Sequence, residues 1–212
     1  MSRTDSGKLD KELIRKFWET QSKTNSNRWT GSHLLNYDID LVKSLSPSPK
    51  SVLDLGCGSG ELSKAVISID GHLTAVDFEK GFARFFSGSH EEFLCSDVAS
   101  FDIEKEFDLI LAFGLVTHLD PHSENKLYLN ISKLLAPRGI ALIKNQVSLG
   151  TEDFVFNGYS EKLKMDYSAR YPSVATQSER LAPMFKDVSI HTYPQEHQQH
   201  KDTQHVLFIC SK

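Results

Sequence analysis

The sequence has no apolar run approaching the ~20 residues that a membrane-spanning helix requires. Met1–Lys8 is polar and no apolar segment follows it, so neither a membrane span nor a secretory leader is expected. Cysteine is scarce. Cys57, Cys95 and Cys210 stand far apart, which argues against a disulfide framework and for reduced thiols in a cytoplasmic protein. An excess of positive charge is also missing. With 24 Lys and Arg against 28 Asp and Glu the formal net charge is −4, so a nucleic-acid partner is not favoured. There is no internal repeat and no long low-complexity tract. A length of 212 residues suits one domain with a sizeable core.

What is present is a regular alternation of elements behind a helical leader. Lys8–Thr20 places Leu9, Leu13, Ile14, Phe17 and Trp18 at helical spacing. Gln21–Ser32 reads as a polar loop carrying Arg28 and Trp29. A second helix is expected over His33–Leu45, ended by Ser46-Pro47-Ser48-Pro49, because proline lacks the amide that a helix needs. Residues 1–49 therefore read as an N-terminal helical cover and residues 50–212 as the main domain. From Ser51 strands and helices alternate. Strands are expected at Ser51–Leu55, His72–Val76, Glu91–Cys95, Phe107–Phe113 and Ile140–Asn145, with helices at Gly60–Ser68, Glu79–Phe86 and Pro121–Leu135. The continuous apolar run Phe107–Phe113 is that of a central parallel strand covered on both faces. Val147–Pro172 lacks periodicity and reads as an insertion or lid. A helix over Ser173–Phe185 and two closing strands, Val188–Tyr193 and His205–Cys210, complete the chain. The rhythm is that of an α/β, doubly wound, mostly parallel seven-stranded sheet with an antiparallel last strand.

The most informative stretch is Val52–Glu61, an apolar run with one acid that breaks into Gly56, Gly58 and Gly60. Such a strand, tight turn and helix start lays a ligand across exposed backbone amides. The glycines run G-x-G-x-G, unlike the dinucleotide fingerprint G-x-G-x-x-G, and no Gly-Lys-Ser/Thr follows to cradle a triphosphate. Asp77 closes the next strand, where a carboxylate can accept both ribose hydroxyls of an adenosine. With Ala75-Val76-Asp77, Cys95-Ser96-Asp97-Val98, Phe107–Phe113 and Leu134–Ile143, the stretch resembles the class I S-adenosylmethionine-dependent methyltransferases, in collinear order from Ser51 to Ile143.

The resemblance implies that Asp54 and the backbone of Gly56, Cys57, Gly58 and Gly60 hold the methionine part of S-adenosylmethionine. It implies that Asp77 holds the ribose, and that Asp97 and the amide of Val98 read the adenine edge. Phe78 and Phe113 complete the cofactor set. The residues alone leave plainer roles open: Asp54 capping the turn, and Asp97 merely ending a strand.

In an open α/β sheet ligands sit at the carboxyl ends of the strands, which directs attention to His118, Asn145 and the loop of His197 and His200. His118 is the general-base candidate, its intrinsic pKa lying near neutrality. The alternatives are packing on the next helix and contact with the cofactor. Arg28, Trp29, Asn145, Tyr159, Arg170 and Tyr171 form the expected acceptor set. A guanidinium among phenols suits a phosphate, carboxylate or sugar-bearing acceptor. Solvated charges on a loop are the plainer reading. Phe17, Trp18 and Trp29 either close the cofactor mouth or pack the leader onto the sheet. The histidines at 191, 197, 200 and 205 match no closed zinc pattern, so no metal is expected.

After the fourth strand there is neither the Asn/Asp-Pro-Pro-aromatic run that similar enzymes use on amide and exocyclic nitrogens nor a Pro-Cys pair for cytosine C5 chemistry. The reading is methyl transfer to a small polar metabolite (a sugar, sugar phosphate or similar), at oxygen rather than nitrogen. The alternatives are a protein or RNA methyltransferase, a catalytically inactive cofactor-binding homologue and, disfavoured by the glycine spacing, an NAD-dependent oxidoreductase.

Overall fold

A computed structural model describes residues 7–23, 32–198 and 200–212. Two helices lead the chain. Helix α1 (Lys11–Ser22) starts where the Asp10 carboxylate accepts hydrogen bonds from the amides of Glu12 and Leu13, and it buries Ile14 and Phe17. Helix α2 (His33–Leu45) is capped by Ser32 and stops at the prolyl stretch, burying Leu34, Asp38 and Val42.

Strands β1 (Ser51–Leu55), β2 (His72–Asp77), β3 (Glu91–Cys95), β4 (Phe107–Phe113), β5 (Leu135–Ser148), β8 (Asp187–Thr192) and β9 (Thr203–Ser211) form one sheet in the order β3-β2-β1-β4-β5-β9-β8. The pairings β1–β2, β2–β3, β1–β4 and β4–β5 are parallel. The last strand, β9, runs antiparallel to both β5 and β8. The chain order reverses between β1 and β4, and there the loops diverge and leave a crevice at the strand ends.

Both faces of the sheet are covered, which is why β4 is apolar throughout. On one face Leu53, Ile110, Ile143 and Phe208 pack with Leu127, Tyr128 and Ile131 of helix α4 (Pro121–Leu134) and Leu181 of helix α5 (Val174–Leu181). On the other, Val52, Leu109, Leu142 and Leu207 pack with Leu34 and Val42 of α2 and Val66 of helix α3 (Glu61–Val66).

Four expectations are corrected. Val147–Pro172 is no irregular lid: β5 continues to Ser148, and β6 (Phe154–Ser160) pairs antiparallel with β7 (Met165–Tyr171) in a separate hairpin. Phe154, Phe156, Tyr167 and Tyr171 share one face of the hairpin, but Val155 and Gly158 obscure the alternation in the sequence. The helix expected over Glu79–Phe86 is only a 3₁₀ segment, Lys80–Phe85. Gly81, Phe82 and Phe85 make it a poor α-helix former. The helix at 173–185 stops at Leu181, because Pro183, two residues on, has no amide to continue the hydrogen-bond ladder. Cys95 is exposed and not part of the core, although Cys210 is buried.

The two leading helices do different jobs. Helix α2 packs on the sheet with α3. Helix α1 lies instead on the β6–β7 hairpin, where the Asp10 amide donates to Ser168 Oγ at 2.9 Å and the Phe17 and Tyr167 rings meet edge-on at 5.1 Å. Among the described residues no helix is long and apolar enough to cross a membrane.

Candidate functional site

The C-terminal ends of β1, β4 and β5 open into a single crevice. The turn after β1 contributes Asp54, Gly56, Cys57 and Gly58, β4 ends there with Phe113 and Gly114, and β5 brings Lys144, Asn145 and Gln146. Phe17, Trp18 and Gln21 of α1 and Leu34, Leu35 and Asp38 of α2 close it from above. Thr117, His118, Tyr167 and His205 complete the wall.

The turn has its shape because its glycines are left-handed. Gly58 has φ +52° and Gly60 φ +72°, conformations that side chains with a Cβ rarely adopt. They serve different ends. A Cβ on Gly60 would lie 2.6 Å from the Phe86 ring, so this glycine permits close packing at the start of α3. A Cβ on Gly58 would meet nothing within 4 Å and would stand in the open crevice. The space over Gly58 is thus free for a ligand to lie against the backbone.

Two carboxylates brace this turn. Asp54 is buried and accepts a 2.6 Å hydrogen bond from the Ser63 hydroxyl. Burial, reinforced by the nearby charge of Asp77, pushes its pKa up to about 7. Asp77 accepts from the amides of Gly58 at 3.0 Å and Glu79 at 2.9 Å, and burial raises it to about 6. Each carboxylate is short of the solvation or countercharge its ionised form wants, which suits a site completed by a ligand bearing a cation or hydroxyls. Cys57 lines the crevice as a thiol, its pKa pushed up by burial and the two acids. The β2–β3 end lies along the same rim. Phe78 is exposed, and Asp97 accepts from the Ala99 amide at 2.8 Å. The Val98 side chain is buried in the core.

Across the crevice the wall is polar and roofed by aromatic rings. His118 sits in a 3₁₀ turn, Val116–His118, that follows β4. Its ring meets Trp18 at 5.4 Å and Tyr167 at 5.6 Å, both edge-on, and the Tyr167 hydroxyl is 3.4 Å from Nε2. Lys144 and Asp38 form a buried 2.5 Å ion pair, with the Tyr193 hydroxyl donating to the other Asp38 oxygen at 2.7 Å. Burial pushes Asp38 up and Lys144 down, while each partner draws the other back towards its charged form. Asn145 is fully buried, and neither atom of its amide has a hydrogen-bond partner among the described residues. The same holds for both ring nitrogens of His205, which is 7% exposed.

The acceptor set read from the sequence is partly displaced. Arg170 turns away from the crevice: it ion-pairs with Glu124, and its other nitrogens donate to Asp153 at 2.8 Å and to the Leu119 carbonyl at 3.1 Å. Its guanidinium is buried, each of its nitrogens is engaged, and it does not line the crevice. Tyr171 is buried against Phe154, the rings stacked at 4.9 Å, and Tyr159 projects to solvent from the hairpin. Arg28 and Trp29 lie outside the described residues. Asn145, His118, Phe17 and Trp18 do face the crevice. His197, expected on the rim, packs against Tyr37 at 4.8 Å instead. Gln146 follows Asn145 at the strand end picked out by the sequence, whereas Asp38 and a place for His205 on the crevice wall were not anticipated. His205 enters because it pairs with Gln146 across β5 and β9, a register that no local pattern reveals.

The chain is similar in sequence and fold to known proteins. A family model described as a methyltransferase domain matches residues 52–139, the stretch from β1 to the entry into β5. A malonyl-[acyl-carrier protein] O-methyltransferase of Acetivibrio thermocellus is 25% identical over 111 residues, covering 49% of this chain and 39% of that protein. A ubiquinone biosynthesis O-methyltransferase of Aromatoleum aromaticum is 30% identical over 121 residues, covering 53% of this chain and 50% of that protein. The chain thus spans half or less of the length of these two relatives. Among solved structures, the 1,6-didemethyltoxoflavin-N1-methyltransferase of Burkholderia thailandensis, with 1,6-didemethyltoxoflavin and S-adenosylhomocysteine bound, superposes with a TM-score of 0.72 at 20% identity. That match covers 100% of this chain and 95% of that one.

Proposed function

We propose that the chain is a class I S-adenosylmethionine-dependent methyltransferase and that it methylates a small polar metabolite seated at the end of β5. The observation that carries this reading is the continuity of the crevice. The open backbone at Gly58 and the polar wall of Thr117, His118, Asn145 and His205 belong to one chamber, roofed by α1 and the hairpin residue Tyr167. A donor on the β1 side and an acceptor on the β5 side would then be neighbours. The roof favours a small molecule over a protein or RNA chain.

In this reading Asp54 and the backbone of Gly56, Cys57, Gly58 and Gly60 hold the amino-acid part of the cofactor, beside Phe113. Asp77 and Phe78 hold the ribose, and Asp97 and the Val98 amide take the adenine edge. When bound, the cofactor supplies an already activated methyl group. The protein's own contribution is to orient the acceptor and to exclude water. For a hydroxyl acceptor it must also take up one proton. His118 is placed for this: the proton leaves the acceptor oxygen for the imidazole, whose orientation Tyr167 and Trp18 fix. Transfer to oxygen is accordingly the favoured chemistry.

The test has two parts. S-adenosylhomocysteine should raise the melting temperature and NAD should not; the reverse result overturns the assignment. His118→Asn should lower turnover by roughly 10²- to 10⁴-fold, the usual worth of general-base catalysis, with S-adenosylhomocysteine affinity unchanged. Near-normal turnover in that variant removes the base role.

A further inference from the structure

The turn that carries His118 is held from outside itself. Within the turn the His118 and Leu119 amides donate to the carbonyls of Leu115 and Val116, at 3.0 Å each, and α4 opens on the Asp120 carbonyl, which accepts from the Glu124 amide at 2.9 Å. The Leu119 carbonyl lies between these two ladders and accepts from Arg170 Nε at 3.1 Å. Its neighbours are held in the same way. The Tyr167 hydroxyl lies 3.4 Å from His118 Nε2, and Lys11 of α1 pairs with the Asp120 carboxylate at 3.0 Å. Tyr167 and Arg170 stand three positions apart on β7, so they leave it on opposite sides and reach the turn from both.

These holds are not equal. The Lys11 side chain is 79% exposed, and an exposed ion pair constrains little. Arg170 is buried, with one terminal nitrogen on Glu124 and the other donating to Asp153 at 2.8 Å. A planar guanidinium fixed at both tips sets the direction of its remaining N–H. The tips meet the charges of the two acids, and Glu124 has a second guanidinium in Arg180. Nε adds nothing to that balance. It is committed instead to a neutral carbonyl one residue beyond His118.

We propose that Arg170 is a positioning residue for methyl transfer: through the Leu119 carbonyl it sets the turn that presents His118 to the crevice, without itself touching donor or acceptor. The inference rests on the reading of His118 as the base. A base must stand within hydrogen-bond reach of the proton it takes, and a displacement of about 1 Å can lower a rate roughly a hundredfold. Two substitutions separate this role from stability. Glutamine carries its amide nitrogen at the side-chain position of Arg170 Nε, so Arg170→Gln keeps a donor for the Leu119 carbonyl and discards the charge. Arg170→Lys keeps a cation beside Glu124 and Asp153 but loses the fixed directions of the guanidinium.

The experiment measures label transferred by the full chain from deuteriomethyl-labelled S-adenosylmethionine into a small-metabolite extract, per S-adenosylhomocysteine-binding site, at a temperature where the variants are folded. Arg170→Lys should melt higher than Arg170→Gln yet transfer roughly tenfold to a hundredfold less than the unaltered chain, whereas Arg170→Gln should stay close to it. Both should keep S-adenosylhomocysteine affinity. Added to His118→Asn, Arg170→Lys should cost little more, since both act on one step. Transfer that follows the charge and not the donor at Nε, or losses that multiply in the double variant, overturns the positioning role. Near-normal transfer in His118→Asn overturns it differently, by removing the base through which it acts, and failure of S-adenosylhomocysteine to bind removes the methyltransferase reading itself. NMR supplies a readout that needs no acceptor. The His118 ring protons, identified by their loss in His118→Asn, lie beside the edge-on rings of Trp18 and Tyr167, so their shifts report where the ring stands. They should move in Arg170→Lys and hold in Arg170→Gln. Unmoved His118 signals in folded Arg170→Lys overturn the proposal whether or not the extract contains an acceptor. Low transfer with displaced His118 signals in Arg170→Gln overturns it too, so the test stands even where one variant fails to fold.

Discussion

Asp38 and Lys144, 106 residues apart in sequence, meet as a buried ion pair 2.5 Å long that fastens α2 to the end of β5 beside the acceptor wall. Such a pair costs desolvation that its attraction only just repays, but removing one partner strands the other charge. Lys144→Met should therefore destabilise the protein by about 3–5 kcal/mol. The double variant Asp38→Leu/Lys144→Met should recover most of that loss. Urea unfolding of the three proteins measures it. If the single and double variants are equally unstable, the pair is not what joins the two elements.

Gly58 separates binding from folding more cleanly. An alanine there takes on a left-handed conformation at a cost of about 1–2 kcal/mol, and its methyl group projects into open space. Titration calorimetry should show S-adenosylhomocysteine affinity falling roughly tenfold or more, a loss of at least about 1.4 kcal/mol, in a protein that still folds. Gly60→Ala should do the opposite, unfolding first, because its methyl would collide with Phe86.

The raised carboxylates make a pH prediction. Asp54 at about 7 and Asp77 at about 6 both bind protons more tightly when folded than in the unfolded chain, where aspartate titrates near 4. In the window between those values the native state holds more protons, so unfolding free energy decreases as pH rises. This contribution is fully present below about pH 4 and lost as pH climbs through 6 and 7. The ligand-free protein should become less stable from pH 5 to 7.5 in urea titrations. Asp54→Asn should flatten the decline.

Arg170 supplies a test of the corrected acceptor set. Its guanidinium bonds to Glu124, Asp153 and the Leu119 carbonyl, and Glu124 also holds Arg180. Arg170→Ala should cost about 3–5 kcal/mol of stability, by leaving the buried Glu124 under-compensated, and should leave KM for the acceptor nearly unchanged at a temperature where the variant is folded. A selective rise in KM without loss of stability would return Arg170 to the substrate.

The sheet and the cofactor half of the site were legible because their signals are local. Val52–Gly60 states a strand and a left-handed turn in nine consecutive residues, and the apolar run Phe107–Phe113 states a central strand by composition. Asp77 needs only its position at the end of β2. The acceptor half was legible only in part, since it depends on long-range pairing. Asn145 and His118 follow from the rule that ligands gather at strand ends. His205 follows from the β5–β9 register, and Asp38 from the docking of α2 on β5. Arg170 misled for the same reason. The phenols beside it in sequence suggest a binding surface, whereas its actual neighbours, Glu124 and Asp153, come from elsewhere in the chain.

The contact between α1 and the β6–β7 hairpin has a consequence for how this scaffold can change. Asp10, Phe17, Tyr167 and Ser168 join the start of the described chain to a hairpin beyond β5, so part of the roof is made by two short segments that take no part in the seven-stranded sheet. Residues there can be exchanged in concert while β1, its glycine turn and Asp77 stay as they are. The outline admitted above the acceptor can therefore drift while the donor's seat and the polar wall at the end of β5 stay fixed.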